Sequence, residues 1–161
     1  MSMNIRIIAI GKIKEDYLKE GISEYLKRVS KYAKTEIVEV MDSSLSDRPN
    51  QSEIEKAINA EGERVFKYLN PSEYVIALDL NKKEMDSVEF SKYLDKKFIE
   101  GGSKLTFIIG GSYGLSKKLK ERANDSISLS KMTFLHQMTR LILLEQIYRA
   151  FKILNNEIYH K

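Results

Sequence analysis

Leu105-Thr106-Phe107-Ile108-Ile109 runs straight into Gly110-Gly111-Ser112-Tyr113-Gly114-Leu115-Ser116. The first five residues are nearly all apolar or β-branched and have no polar face, as in a strand covered on both sides. Three glycines in the next five positions open backbone conformations closed to other residues and allow a ligand to approach closely. Ser116 is placed to cap a following helix, read over 116–123. Tyr74–Leu80 (YVIALDL) has the same buried-strand character, and Asn4–Ile10 (NIRIIAI) is β-branched and bounded by Gly11. Thr35–Val40 alternates as a further strand, and a short one is read near Ser126–Leu129. Between the strands lie amphipathic stripes: Leu18, Ile22, Tyr25, Leu26 and Val29; Ile54, Ile58, Val65, Phe66 and Leu69, closed by Pro71; and Phe90, Leu94 and Phe98, ended by Gly101 and Gly102. Ser52 with Glu55, and Asp86 with Glu89, have capping-box spacing. A last helix is read from about His136 to Leu154. Alternation of strand and helix predicts one α/β domain over 1–161, with a mainly parallel sheet of about five strands and helices on both faces.

The chain has 161 residues, with 42% apolar and 31% charged side chains, a balance that reads as soluble and globular. It has no cysteine, which excludes disulfides, thiolate nucleophiles and cysteine-ligated metals. With only two histidines, His136 and His160, a three-histidine metal site is excluded too, and no metal is expected. No apolar run approaches the roughly 20 residues of a membrane helix. The N-terminal apolar stretch reads as a strand, so no membrane association and a cytoplasmic location are expected. Residues 1–100 carry 17 basic and 19 acidic side chains, whereas residues 101–161 carry 10 and 4. A basic C-terminal third suits a polyanion such as RNA, although scattered surface lysine gives the same count.

In parallel sheets ligands bind beyond the carboxyl ends of the strands. The glycine run after Ile109 is either a ligand loop or a plain turn. It carries neither GxxxxGK[ST] nor GxGxxG. Leu129-Ser130-Lys131-Met132-Thr133-Phe134-Leu135-His136-Gln137 follows the last strand and mixes polar with apolar residues. It is either an ordinary connection or the second wall of a pocket for a flat base. The serine-rich Met41–Gln51 reads as a mobile connection, with a lid as the less common alternative. Leu141-Ile142-Leu143-Leu144 is apolar around a whole turn, so this helix is buried all round, by its own core or by a second subunit. Glu145 and Arg149 have intrahelical salt-bridge spacing. His136, near a helix start, is ordinarily a cap or packing residue. Tyr159-His160-Lys161 is ordinarily a frayed end, though these side chains also suit stacking on a base and neutralising phosphate.

IIGGSYGLS (108–116), SLSKMTFLHQMTR (128–140) and LLEQIYRAFKI (143–153), with the terminal Tyr-His-Lys and the early AIGKIKEDY (9–17), occur in order over essentially the whole length. In this the chain resembles the bacterial ribosomal RNA large-subunit pseudouridine N3-methyltransferases, small members of the SPOUT class. The resemblance implies a C-terminal trefoil knot, a homodimer and S-adenosylmethionine as methyl donor. It also implies a pseudouridine of 23S rRNA as substrate, methylated on the assembled 70S ribosome. It places donor contacts at Leu78, Gly110, Leu129, Ser130, Lys131, Met132, Thr133 and Phe134. The N3 imide proton must leave, and His160 is the candidate base that takes it, with Tyr159 positioning the substrate base. Arg140, His136 and Lys161 are candidate substrate contacts, Arg140 and Lys161 to phosphate. Leu135 departs from the proline expected before the histidine, which bears on the shape of that loop. A SPOUT enzyme for another RNA such as tRNA, a non-catalytic ribosome-binding module and a generic nucleotide-binding protein are the competing readings.

Overall fold

The computed structural model describes residues 2–161. Ten elements follow in strict alternation: β1 (Met3–Ile10), α1 (Asp16–Val29), β2 (Ala33–Val40), α2 (Gln51–Phe66), β3 (Val75–Glu84), α3 (Ser87–Glu100), β4 (Lys104–Ile109), α4 (Lys117–Arg122), β5 (Asp125–Ser128) and α5 (His136–Leu154). The strands form one sheet in the order β2-β1-β4-β3-β5, and every pairing is parallel.

Period-two alternation sorts the strand side chains between two cores. Ile5, Ile7 and Ala9 of β1 join Leu105, Phe107 and Ile109 of β4 against α1, α3 and α5. Ile8, Ile10, Val75, Ala77 and Ile108 point the other way, onto Val65 of α2 and Leu119 of α4. Both sheet faces are therefore covered, which is why the strands read as unbroken apolar runs.

Several boundaries differ from the sequence expectation. The cap of α2 is Asn50 with Glu53, reciprocally bonded at 2.8 and 3.3 Å, and not Ser52 with Glu55. Both pairs have the same spacing; Asn50, next to Pro49, holds the extended conformation a cap requires, so the helix starts at the earlier pair. The helix stops at Phe66 and leaves two turns before Pro71. The caps at Asp86 with Glu89 and at Ser116 are present. β5 lies one residue earlier than its apolar pattern suggested.

The largest difference is in β3, which runs on to Glu84. Leu78 and Lys83 both pair with Ile127, so residues 79–82 loop out of the ladder, with Asn81 at φ +65°. Such a bulge re-aims side chains beside a site. In the turn 141–144 Leu143 and Leu144 are buried within the chain's own core, while Leu141 and Ile142 remain partly open. No helix among the described residues is long and apolar enough to cross a membrane.

Candidate active site

Three segments meet beyond the carboxyl ends of β3, β4 and β5: the β3 bulge, the glycine loop and the loop leading into α5. They line an open cavity of about 580 Å³. Of the residues expected to hold a donor, Leu78, Gly110, Leu129, Ser130, Met132, Thr133 and Phe134 line it. Lys131 sits in the same loop, turned outward and exposed. The glycine loop is drawn tight. A Cβ on Gly110 would meet the Gly114 carbonyl carbon at 2.7 Å, backbone that has no room to give. Gly114, at φ +88°, closes the turn with a backbone bond to Gly111. In the third segment Ser130 Oγ accepts from the Met132 amide, and Ser128 Oγ donates to the Ser130 carbonyl. These two bonds shape the loop, and Leu129 and Phe134 give the cavity an apolar wall. Leu135 adopts φ −54°, close to the angle a proline ring imposes, so the loop keeps a proline-like entry to α5 with leucine in place.

His136, the first residue of α5, lines the cavity and packs near Gly11 at the end of β1. Burial, and then the Arg140 charge, hold its imidazole below the ordinary histidine range. Behind it, Glu61 of α2 is buried, accepts the Ser43 amide at 2.9 Å and would touch a Cβ on Gly111 at 3.6 Å. Burial raises its carboxyl above the ordinary range. This ties the start of the 41–50 loop to the outer side of the glycine loop.

Arg140 is not placed as expected. Its side chain is only 2% exposed, and its guanidinium donates to Glu39 and to the Gly11 carbonyl, both at 2.6 Å. Glu39 also accepts the Ile13 amide. Arg140 therefore locks the turn after β1 onto α5, and within this chain its charge is committed to that lock rather than offered to a phosphate.

The C-terminal residues lie at the other end of α5. Tyr159 packs edge-on against Tyr148 with centroids 4.9 Å apart, lies 3.2 Å from the Tyr25 hydroxyl and donates to Glu145 at 3.3 Å. Burial, then the hydrogen bond with Tyr25 and the Glu145 charge, raise its phenol above the ordinary range. The tail is docked rather than frayed. Arg149 makes the expected bridge to Glu145, at 3.0 Å, and donates to His160 Nδ1 at 3.1 Å. An arginine can only donate, so Nδ1 accepts and the neutral imidazole carries its proton on Nε2. Lys161 is exposed. Arg149 lies 13 positions beyond His136, roughly 20 Å along the axis at 1.5 Å per residue. One chain does not bring the tail and the cavity together.

Asp79 and Lys120 also line the cavity and were missed from sequence. The available signal was the lone charge inside the apolar run YVIALDL.

An all-parallel α/β domain with a glycine-tight cavity at its strand ends defines a nucleotide- or cofactor-binding class of protein. The family model described as "Predicted SPOUT methyltransferase" matches residues 3–160. The chain belongs to the SPOUT methyltransferase family. It is 54% identical to the ribosomal RNA large subunit methyltransferase H of Carboxydothermus hydrogenoformans, and 46% identical to the protein of the same name from Enterococcus faecalis. Each alignment spans 99% of this chain and 100% of the relative. Among solved structures, a methylase family protein of Haemophilus influenzae Rd KW20 superposes with a TM-score of 0.54 at 15% identity, over 100% of this chain and 72% of the other. A Legionella pneumophila methyltransferase with bound S-adenosylmethionine gives 0.50 at 9% identity, over 92% and 66%. These two likenesses concern the fold.

The cavity suits such a donor on its own terms. It joins an apolar wall for a flat base, a backbone cradle with no room for a Cβ, and charged groups of both signs.

Proposed function

We propose that this chain is a homodimeric methyltransferase that uses S-adenosylmethionine to methylate N3 of a pseudouridine in 23S rRNA within the assembled 70S ribosome. The observation that carries the reading is the cavity itself: seven of the eight residues expected at the donor line one open cavity at the strand ends. The names of the full-length relatives support the choice of ribosomal RNA.

S-adenosylmethionine supplies a methyl group already activated on a sulfonium. The chain's task is then to hold the donor, orient the base and take a proton. The glycine loop and residues 129–134 do the holding, with rigid backbone rather than long side chains. Alignment of this kind lowers a barrier by several kcal/mol, up to about 7–11 in ideal cases. The trefoil knot expected of the family fits a cavity assembled from three strand-end segments.

His160 accepts the imide proton of N3 in this reading, and Tyr159 positions the base. In the neutral tautomer that the Arg149 contact selects, Nδ1 is the basic atom, and it must exchange that contact for the substrate. Because the tail lies roughly 20 Å along α5 from the cavity, His160 serves the cavity of a partner. The partly open apolar face of Met138, Leu141 and Ile142, with Leu135 half exposed, is a surface on which a second copy would pack. Lys161 and the outward Lys131 supply positive charge to the RNA, and His136 offers an uncharged contact at the cavity rim.

The test is transfer of labelled methyl from S-adenosylmethionine to free 23S rRNA, isolated large subunits and 70S ribosomes, all from cells lacking the gene. Label on 70S particles alone, at a pseudouridine, is the expected result. Label on tRNA instead would replace the substrate. Donor binding with no transfer to any RNA would replace the enzyme with a binding module.

A further inference from the structure

The cavity has one carboxylate in its lining, and nothing said so far gives it a task. Asp79 is the first residue of the β3 bulge. Leu78 before it still pairs with Ile127, and the ladder resumes on the same residue only at Lys83. The looped-out backbone carries the Asp79 side chain into the cavity wall, where it is only 14% exposed. A charge at the end of an otherwise buried strand is costly unless something compensates it. Its compensation here is slight: the Lys120 ammonium lies 3.5 Å from Oδ1, longer than the 2.7–2.9 Å of a well-made charged hydrogen bond. Lys120 reaches in from α4, behind the glycine loop, and lines the same cavity. An acid and a base therefore stand side by side, loosely paired, at the rim of a cavity whose remaining walls are mostly apolar or neutral.

Resting on the reading of this cavity as a donor site, we infer that Asp79 and Lys120 form the receptor for the amino-acid end of the donor. Asp79 takes the α-ammonium and Lys120 the α-carboxylate. The adenine and the thioether portion need flat apolar walls and backbone groups, which residues 129–134 and the glycine loop supply. The amino-acid end is a zwitterion. Burying it requires partners of both signs at short separation, and within the cavity lining this pair alone provides both signs together. The weak Asp79–Lys120 contact leaves both groups free to exchange each other for the ligand's opposite charges, so neither is stripped of compensation on binding.

Asp79→Asn keeps the shape and removes the charge. Calorimetric titration of the full-length protein with three ligands separates the possible roles: S-adenosylmethionine, S-adenosylhomocysteine and 5′-methylthioadenosine, which lacks the amino-acid end. The expected result is a loss of about ten- to hundredfold in affinity for the first two, by similar factors. Binding of 5′-methylthioadenosine stays unchanged and also reports that the cavity is intact. Equal weakening of all three ligands would make Asp79 a shaping or ribose-binding residue and overturn the inference. Weakening for S-adenosylmethionine alone would place the carboxylate at the sulfonium and overturn it as well, as would no change for any ligand. If the unaltered protein bound none of the three, the donor reading would fall and this inference with it. Tight wild-type binding with an indifferent Asp79→Asn variant would remove this inference alone.

Discussion

At its N-terminal end α5 meets a cavity made of backbone, where Gly110 has no room for a methyl group and Gly114 takes a left-handed turn. At its C-terminal end it meets side chains: Tyr25, Tyr148 and Tyr159 pack together, with Arg149 4.8 Å above the Tyr159 ring. Backbone cradles are rigid and pre-formed, and they suit the holding of a small molecule in one pose. Stacked aromatics and cations can exchange partners at little cost, and they suit contact with something that arrives from outside. The division matches the proposed labour, with donor at one end and RNA base at the other. Under the proposed function, a second copy would join the two ends.

Gly110→Ala should have the largest effect. Its Cβ would press on the Gly114 backbone, which a rotamer change cannot relieve. Donor affinity should fall more than a hundredfold, with a stability cost of about 1–3 kcal/mol from overpacking; calorimetry and thermal unfolding read the two separately. His160→Ala should do the opposite at the other end. Turnover on 70S ribosomes should drop by about 10²–10⁴-fold, the range of a lost general base. Donor affinity should hold, and so should stability to within about 0.5 kcal/mol, because the side chain is exposed. Unchanged turnover with saturating ribosomes would remove His160 as the base. Loss of donor affinity in the same variant would show that the two ends are not independent.

Arg140 tests the link between them. Arg140→Ala opens a hole in the core and leaves the buried Gly11 carbonyl without a donor, while half-exposed Glu39 can return to water. A loss of about 2–4 kcal/mol is expected, seen as a lower denaturation midpoint. Were Arg140 instead a phosphate contact, the variant would unfold normally, and ribosome binding would lose part of its salt dependence.

Arg140 also shows why the sequence was readable in some places and opaque in others. Strands and helices announce themselves locally: YVIALDL and LTFII are apolar because both sheet faces are covered, and the stripes of α1 and α3 repeat with the helix period. The cavity was legible because a parallel sheet places sites at strand ends, and the glycines mark one such end. The fate of Arg140 was hidden because its partner Glu39 lies 101 residues away and on a different element. The α2 cap was ambiguous because Asn50 with Glu53 and Ser52 with Glu55 offer the same chemistry, and only the path of the chain after Pro49 selects one. Asp79 was overlooked because a strand that ends in a bulge looks in sequence like a strand that simply ends. The docked tail escaped notice because its contacts to Tyr25 and Tyr148 are tertiary.

The smallest effect concerns His136, at the N-terminal end of α5. His136 is half buried beside Arg140 and opens a helix, where the dipole also disfavours a cation. Its folded-state pKa lies below its unfolded value of about 6.5. The unfolded chain therefore binds more protons in the window below that value, and stability contributed by the neutral ring is complete above it. This contribution is lost as pH falls through the window toward the depressed folded pKa. His136→Gln removes the titration, so the variant's denaturation midpoint should fall less between pH 7 and pH 5 than the unaltered protein's. If His136→Gln left the slope as steep as in the unaltered protein, the buried, neutral role assigned to this ring at the start of α5 would fall.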